Sequence, residues 1–128
     1  MSHRSRLAGF IIDCQGTDSD AAAAFWAPAL GLHAEPAYTE DDGAQYAELS
    51  GAPAELHVEV QRVEHAPRVH LDIESDDIDA EADRLEALGA RRIGKIKRWW
   101  VMEAPTGHRF CIVQMKHPER GPVPTTWK

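Results

Sequence analysis

The hydrophobic pattern of this chain runs through the same order twice. Leu7 to Cys14 carries the apolar run Phe10-Ile11-Ile12 and predicts a strand. Asp18, Ser19 and Asp20 then supply capping side chains and negative charge at a helix start. The helix is expected through Ala21–Ala24, Phe25 and Trp26 to Leu30, with Phe25 and Trp26 in the core and Pro28 kinking the last turn. Gly31 stops it, as a left-handed residue after a helix would. The second round opens at Arg68. Val69, Leu71 and Ile73 alternate with His70, Asp72 and Glu74, a period of two that sends the apolar set inward. Ser75, Asp76 and Asp77 offer caps, Ile78, Ala82, Leu85 and Leu88 fall on one helical face, and Gly89 closes the helix.

Three short strands follow each helix. In the first half they are Leu32–Tyr38, Gln45–Leu49 and Leu56–Val63, punctuated by Asp42-Gly43 and Gly51-Ala52-Pro53. In the second they are Ala90–Ile96, Trp99–Glu103 and His108–Met115, the last two separated by Pro105-Thr106-Gly107. The tripeptides Ala29-Leu30-Gly31 and Ala87-Leu88-Gly89, 58 positions apart, mark the repeat. The expected fold is therefore α+β: two βαβββ modules forming a curved mixed sheet around a cleft. All of 1–128 reads as one domain, with modules over about 6–64 and 67–115 and an extended tail over 116–128.

Composition narrows the function classes. Hydrophobic residues at 43% and charged residues at 27% are globular values. A net charge of −7 argues against a nucleic-acid partner, and no apolar run is long enough for a membrane helix. The basic run Arg91-Arg92, Lys95, Lys97 and Arg98 is interrupted by Ile93 and Ile96 and reads as a solvated strand rim. Met1 to Arg6 lacks the apolar stretch of a secretory signal, and two cysteines are too few for a disulfide framework. A cytoplasmic, reduced protein is the expectation.

Alternation also sorts the strand faces, because residues two apart point the same way. With Val58 and Val60 toward a helix, His57, Glu59 and Gln61 face the other side. With Phe110 and Ile112 under the second helix, Cys111 and Val113 face away from it. The expected cleft lining is thus Asp13, His57, Glu59, Gln61, His70, Asp72 and Cys111, joined by one of Trp99 and Trp100. Its aromatic wall and carboxylates suit a small, cationic or aromatic ligand. Other readings stay open: His70 as a hydrogen-bonded strand histidine, Cys111 as a small buried hydrophobe, and one of the tryptophans as core.

The duplicated module resembles the vicinal oxygen chelate superfamily of glyoxalase I, extradiol dioxygenases and bleomycin and fosfomycin resistance proteins. The resemblance runs from about Leu7 to Met115. It rests on Ile11-Ile12-Asp13-Cys14, Ala24-Phe25-Trp26, Leu30-Gly31-Leu32, Val69-His70-Leu71-Asp72, Leu85 to Ala90, and Ala104 to Cys111. It is nearest to the bacterial glyoxalase-like domains. The resemblance implies one divalent metal held by four strand positions, which here fall on Gly9, Gln61, His70 and Cys111. Gly9 has no donor, so the usual set is incomplete; His70, Gln61 and Cys111 are the metal candidates. A homodimer is also implied.

Three functions stand open to this pattern. The first is a small-molecule-binding protein of the bleomycin-resistance kind, without the complete metal site and with no cofactor. The alternative is a metal-dependent lyase, isomerase or dioxygenase using Zn, Ni, Mn or Fe at a non-standard site, drawn from the His-x-Glu of 57 and 59 and the His-x-Asp of 70 and 72, with Glu59 or Asp72 moving a proton. An interaction domain for a partner peptide is the third, with no residue favouring it.

Overall fold

The structure is a computed structural model and describes residues 2–128; Met1, where the N-terminal reading begins, lies outside them. The chain divides into two compact units, Phe10–Val69 and Met1–Gly9 with His70–Lys128. Strand β1 (His3–Gln15) contributes residues to both. The architecture is α+β, and each round of the sequence pattern forms one βαβββ module. No helix among the described residues is long and apolar enough to cross a membrane.

In the Phe10–Val69 unit, α1 (Ser19–Leu30) follows β1. Asp18 caps it by accepting a hydrogen bond from the Ala21 N–H at 2.8 Å, a contact of the kind worth about 1 kcal/mol. Gly31, at φ 70°, ends it in the left-handed region where a side chain would be strained. Pro28 lies inside the last turn, and the carbonyl of Ala27 accepts from Leu32 N–H at 2.8 Å. The strand expected from Leu32 to Tyr38 is two short pieces, β2 (His33–Ala34) and β3 (Tyr38–Thr39). Both pair antiparallel with β4 (Gln45–Ser50), which pairs with β5 (His57–Val63). Register places Ala47 opposite Val60 and Leu49 opposite Val58. These four pack with Ile12 against Ala22, Ala23 and Ala27 of α1. Three small side chains let the helix lie close to the sheet.

Phe25 is the exception to the expected core: it is 63% exposed and rests edge-on against Trp26, 5.0 Å between ring centroids. At about 100° per residue, Phe25 lies well outside the arc of Ala22, Ala23 and Ala27, whereas Trp26 lies within it and packs on the core.

In the other unit, β6 (Arg68–Ser75) leads to α2 (Ile78–Ala87), whose N-cap Asp77 accepts from Ala80 N–H at 3.0 Å. Strands β7 (Arg91–Ile96), β8 (Trp99–Glu103) and β9 (Arg109–Gln114) follow. β7–β8 and β8–β9 are antiparallel and β6–β9 is parallel, so the sheet is mixed. The β7–β8 turn places Lys97 at φ 53°, a position that favours glycine. Ala82, Met102, Phe110 and Ile112 form the core, with Ile73, Ile78, Leu85 and Trp100 packed on it.

Two expectations fail here. Val69 and Leu71 are exposed, because the core beneath α2 takes in Ile73 and stops short of them. Leu88 is exposed too, because the helix ends at Ala87 and Leu88 sits on its C-cap, past the covered turns. Instead α2 buries Glu81 completely. The Glu81 carboxylate accepts from Arg84 Nε and a terminal Arg84 nitrogen at 2.8 Å each, and its Oε1 lies 2.8 Å from His3 Nε2. The tail joins this network. β10 (Thr125–Trp127) pairs with β1, Trp127 Nε1 donates to Ser5 Oγ at 2.8 Å, and the Arg84 guanidinium stacks 3.8 Å from the Trp127 ring. Arg6 holds the preceding turn: it donates to Glu74 Oε1 at 2.8 Å and to the carbonyls of His117, Arg120 and Pro122.

Candidate functional site

The parallel pairing of β6 and β9 makes Asp72 and Cys111 register partners. Neighbouring strands lie about 4.8 Å apart, so two short side chains on facing positions bring their tips together. His70, two residues before Asp72, points to the same face. The outcome is a cluster in which an imidazole nitrogen, a carboxylate oxygen and the Cys111 sulfur all lie within 4.8 Å of one another. His70 Nε2 is 3.7 Å from Asp72 Oδ1, and the two side chains are only 13% and 14% exposed.

These donors fit a divalent ion. Around a zinc-type ion bonded at about 2.0–2.3 Å, tetrahedral ligands sit roughly 3.5 Å from one another, so the three atoms need only small side-chain adjustments to close on it. Asp72, with Cys111 deprotonated by the ion, would also supply two negative charges to balance a divalent ion, which matters in a half-buried place where unbalanced charge is costly.

The tryptophan pair splits between faces. Val101 pairs with Cys111, so Trp99, two residues earlier, shares the Cys111 face. Trp100 pairs with Ile112 and lies on the helix side, donating to Asp79 Oδ1 at 2.8 Å beneath the Arg92 and Lys95 cations.

The remaining expected site residues, Asp13, His57, Glu59 and Gln61, belong to the Phe10–Val69 unit. His57, Glu59 and Gln61 share the β5 face turned away from α1. Glu59 is buried and accepts from the Tyr38 hydroxyl at 2.9 Å. His57 Nε2 is 3.5 Å from Glu59 Oε2, and His57 Nδ1 is 3.9 Å from Glu48 Oε1. Tyr46, opposite Gln61, stacks on Tyr38 with centroids 5.4 Å apart. Burial, reinforced by the Glu59 charge and hydrogen bond, pushes the Tyr38 phenol far above its ordinary range. Asp13 is buried beside Arg68, at 3.6 Å, and His65, at 3.9 Å.

Of the two carboxylates expected to move a proton, Asp72 thus stands among the donors and Glu59 is held by a phenol. Tyr38 and Tyr46 had carried no weight in the sequence. Their only signal was position, since β3 is too short to show alternation. The His-x-Asp spacing had already put Asp72 beside His70 in the alternative metal set with His57 and Glu59; the structure groups His70 and Asp72 with Cys111.

A family model described as a Glyoxalase-like domain matches residues 9–113. Among solved structures, the methylmalonyl-CoA epimerase of Mycobacterium tuberculosis matches with a TM-score of 0.66 at 18% identity, over 86% of this chain and 87% of that one. The Mn(II)-bound glyoxalase of Novosphingobium aromaticivorans matches at 0.58 and 20% identity, over 89% of this chain and 40% of that one. The 2,2',3-trihydroxybiphenyl 1,2-dioxygenase of Sphingomonas wittichii matches at 0.58 and 17% identity, over 91% and 43%. At such identities the likeness is one of fold. No curated protein matches the chain.

Proposed function

The chain belongs to the glyoxalase-like domain family of the vicinal oxygen chelate superfamily, and from that premise we propose that it binds a small, oxygen-bearing organic molecule at a divalent cation held by His70, Asp72 and Cys111. The observation that carries this reading is the convergence of the three donor atoms within 4.8 Å. A bound cation would supply Lewis acidity, polarising oxygens of the ligand. His70 would hold that cation through a ring nitrogen, and Asp72 and Cys111 would balance its charge. Three protein donors would leave room for an exchangeable ligand on such a cation. Trp99, on the Cys111 face, gives an aromatic surface against which a planar or cationic ligand can rest.

This set differs from the four-position pattern of the superfamily. Gly9 offers no donor, and Asp72 adds one that the pattern lacks. The epimerase, glyoxalase and dioxygenase neighbours support small-molecule chemistry of this general kind and leave the reaction open among isomerisation, lyase and oxygenase classes. Cys14 and Cys111, neither of them in a disulfide, support a reducing, cytoplasmic setting. A homodimer, as the superfamily resemblance implies, is part of the proposal.

The test is metal content by mass spectrometry after dialysis against Ni, Zn, Mn and Fe(II). About one equivalent is expected to stay with the full chain. Failure to retain any of the four would overturn the cation and return the protein to a metal-free binding role.

A further inference from the structure

The three donors differ in softness, and that difference selects among cations. We propose that Cys111 ligates through its thiolate, so that this site takes a thiophilic divalent ion of the zinc type in preference to hard, oxygen-seeking ions such as Mn(II) or Mg(II). The inference rests on the reading that His70, Asp72 and Cys111 hold a cation, and it goes further by naming the ion class and the atom that decides it.

Backbone register places the sulfur. Cys111 and Asp72 are partners across a parallel pair, so their side chains leave the sheet side by side. Cysteine has a single carbon between backbone and donor, so an ion it binds must sit close to the β6–β9 strands. His70 and Asp72 reach that same place, and their small exposure keeps it partly out of water. A thiolate combined with an imidazole suits Zn(II), Co(II) and Cd(II), whereas sites for manganese and magnesium are built from carboxylate, carbonyl and water oxygens.

Proton balance follows. The thiol gives up its proton when the metal–sulfur bond forms, so binding releases one proton per ion and weakens as the solution is acidified.

Co(II) reports the ligand directly, because a thiolate bound to it gives a charge-transfer band in the near ultraviolet apart from the visible ligand-field bands. Metal-free full-length protein is titrated with Co(II). The expected result is that both sets of bands rise together and level off at one equivalent. Zn(II) then removes them, while a hundredfold excess of Mn(II) does not. The charge-transfer band survives Cys14→Ser and is lost in Cys111→Ser, whose visible bands persist with weaker binding. Circular dichroism establishes that each variant is folded.

Visible bands without the charge-transfer band in the unmutated chain would overturn sulfur ligation and leave the cation site standing. So would displacement by Mn(II) as easily as by Zn(II). Absence of any cobalt spectrum would overturn both readings, the cation site first.

Discussion

The two modules share one order of elements and stabilise their helices by unlike means. α1 meets its sheet through Ala22, Ala23 and Ala27 in an apolar contact. α2 sets Ala82, with Ile78 and Leu85 packed around it, beside a fully buried carboxylate, Glu81, held by Arg84 and His3. The sheet faces away from the helices differ in the same spirit. On the Phe10–Val69 unit, carboxylate and phenol satisfy each other in the Tyr38–Glu59 pair. On the other unit, three donors of different chemistry converge at His70, Asp72 and Cys111. Repeating a backbone pattern repeats the scaffold and leaves each face free to carry its own chemistry.

The largest effect that separates the units is metal retention. His70→Ala is expected to reduce bound metal from about one equivalent to the background of the assay, measured by mass spectrometry on dialysed protein. Glu59→Gln is expected to leave it unchanged. Equal loss in both variants would break the distinction drawn between the two faces.

Next comes the buried ion network. Glu81→Ala removes the acceptor shared by Arg84 and His3 and is expected to cost about 3 kcal/mol in urea unfolding, within the range for breaking a buried pair. Burial raises the Glu81 carboxyl, but hydrogen bonds from Arg84, His3 and Ser5 outweigh it and hold the group below its ordinary value. A lowered folded value means stability that is present in full above the ordinary glutamate range. It is lost as pH falls through the folded value. Glu81→Gln should therefore show a flatter acid arm of stability against pH than the natural chain; identical arms would mean that another carboxylate governs acid unfolding.

A smaller effect tests the other face. Tyr38→Phe leaves Glu59 without its phenol donor and is expected to cost about 1 kcal/mol. The same pair gives an optical signal: Glu59→Gln should bring Tyr38 ionisation, followed by tyrosinate absorbance, down toward the ordinary phenol range. No movement would mean that burial alone holds the phenol up. The smallest effect is a gain. Lys97→Gly relieves the left-handed turn residue between β7 and β8 and should stabilise by roughly 0.5 kcal/mol, read as a small rise in Tm.

The sequence by itself determined what neighbours along the chain decide. The Asp18 and Asp77 caps, the Gly31 stop and the strand–helix order are local, because the groups that form each one lie within a few residues. The sharing of a face by His70 and Asp72, and by His57 and Glu59, is local for the same reason: a strand's side chains alternate wherever it is placed. Tertiary structure decided the rest. The burial of Glu81 needed His3, 78 residues away. The exposure of Leu71 and Phe25 depended on how far each helix covers its sheet, and periodicity carries no record of where a neighbour ends. The donor cluster needed the parallel register that sets Cys111 beside Asp72, a pairing between strands separated by the whole α2–β8 segment. Alternation gave each strand its two faces; only packing brought the imidazole, the carboxylate and the thiol into reach of one ion.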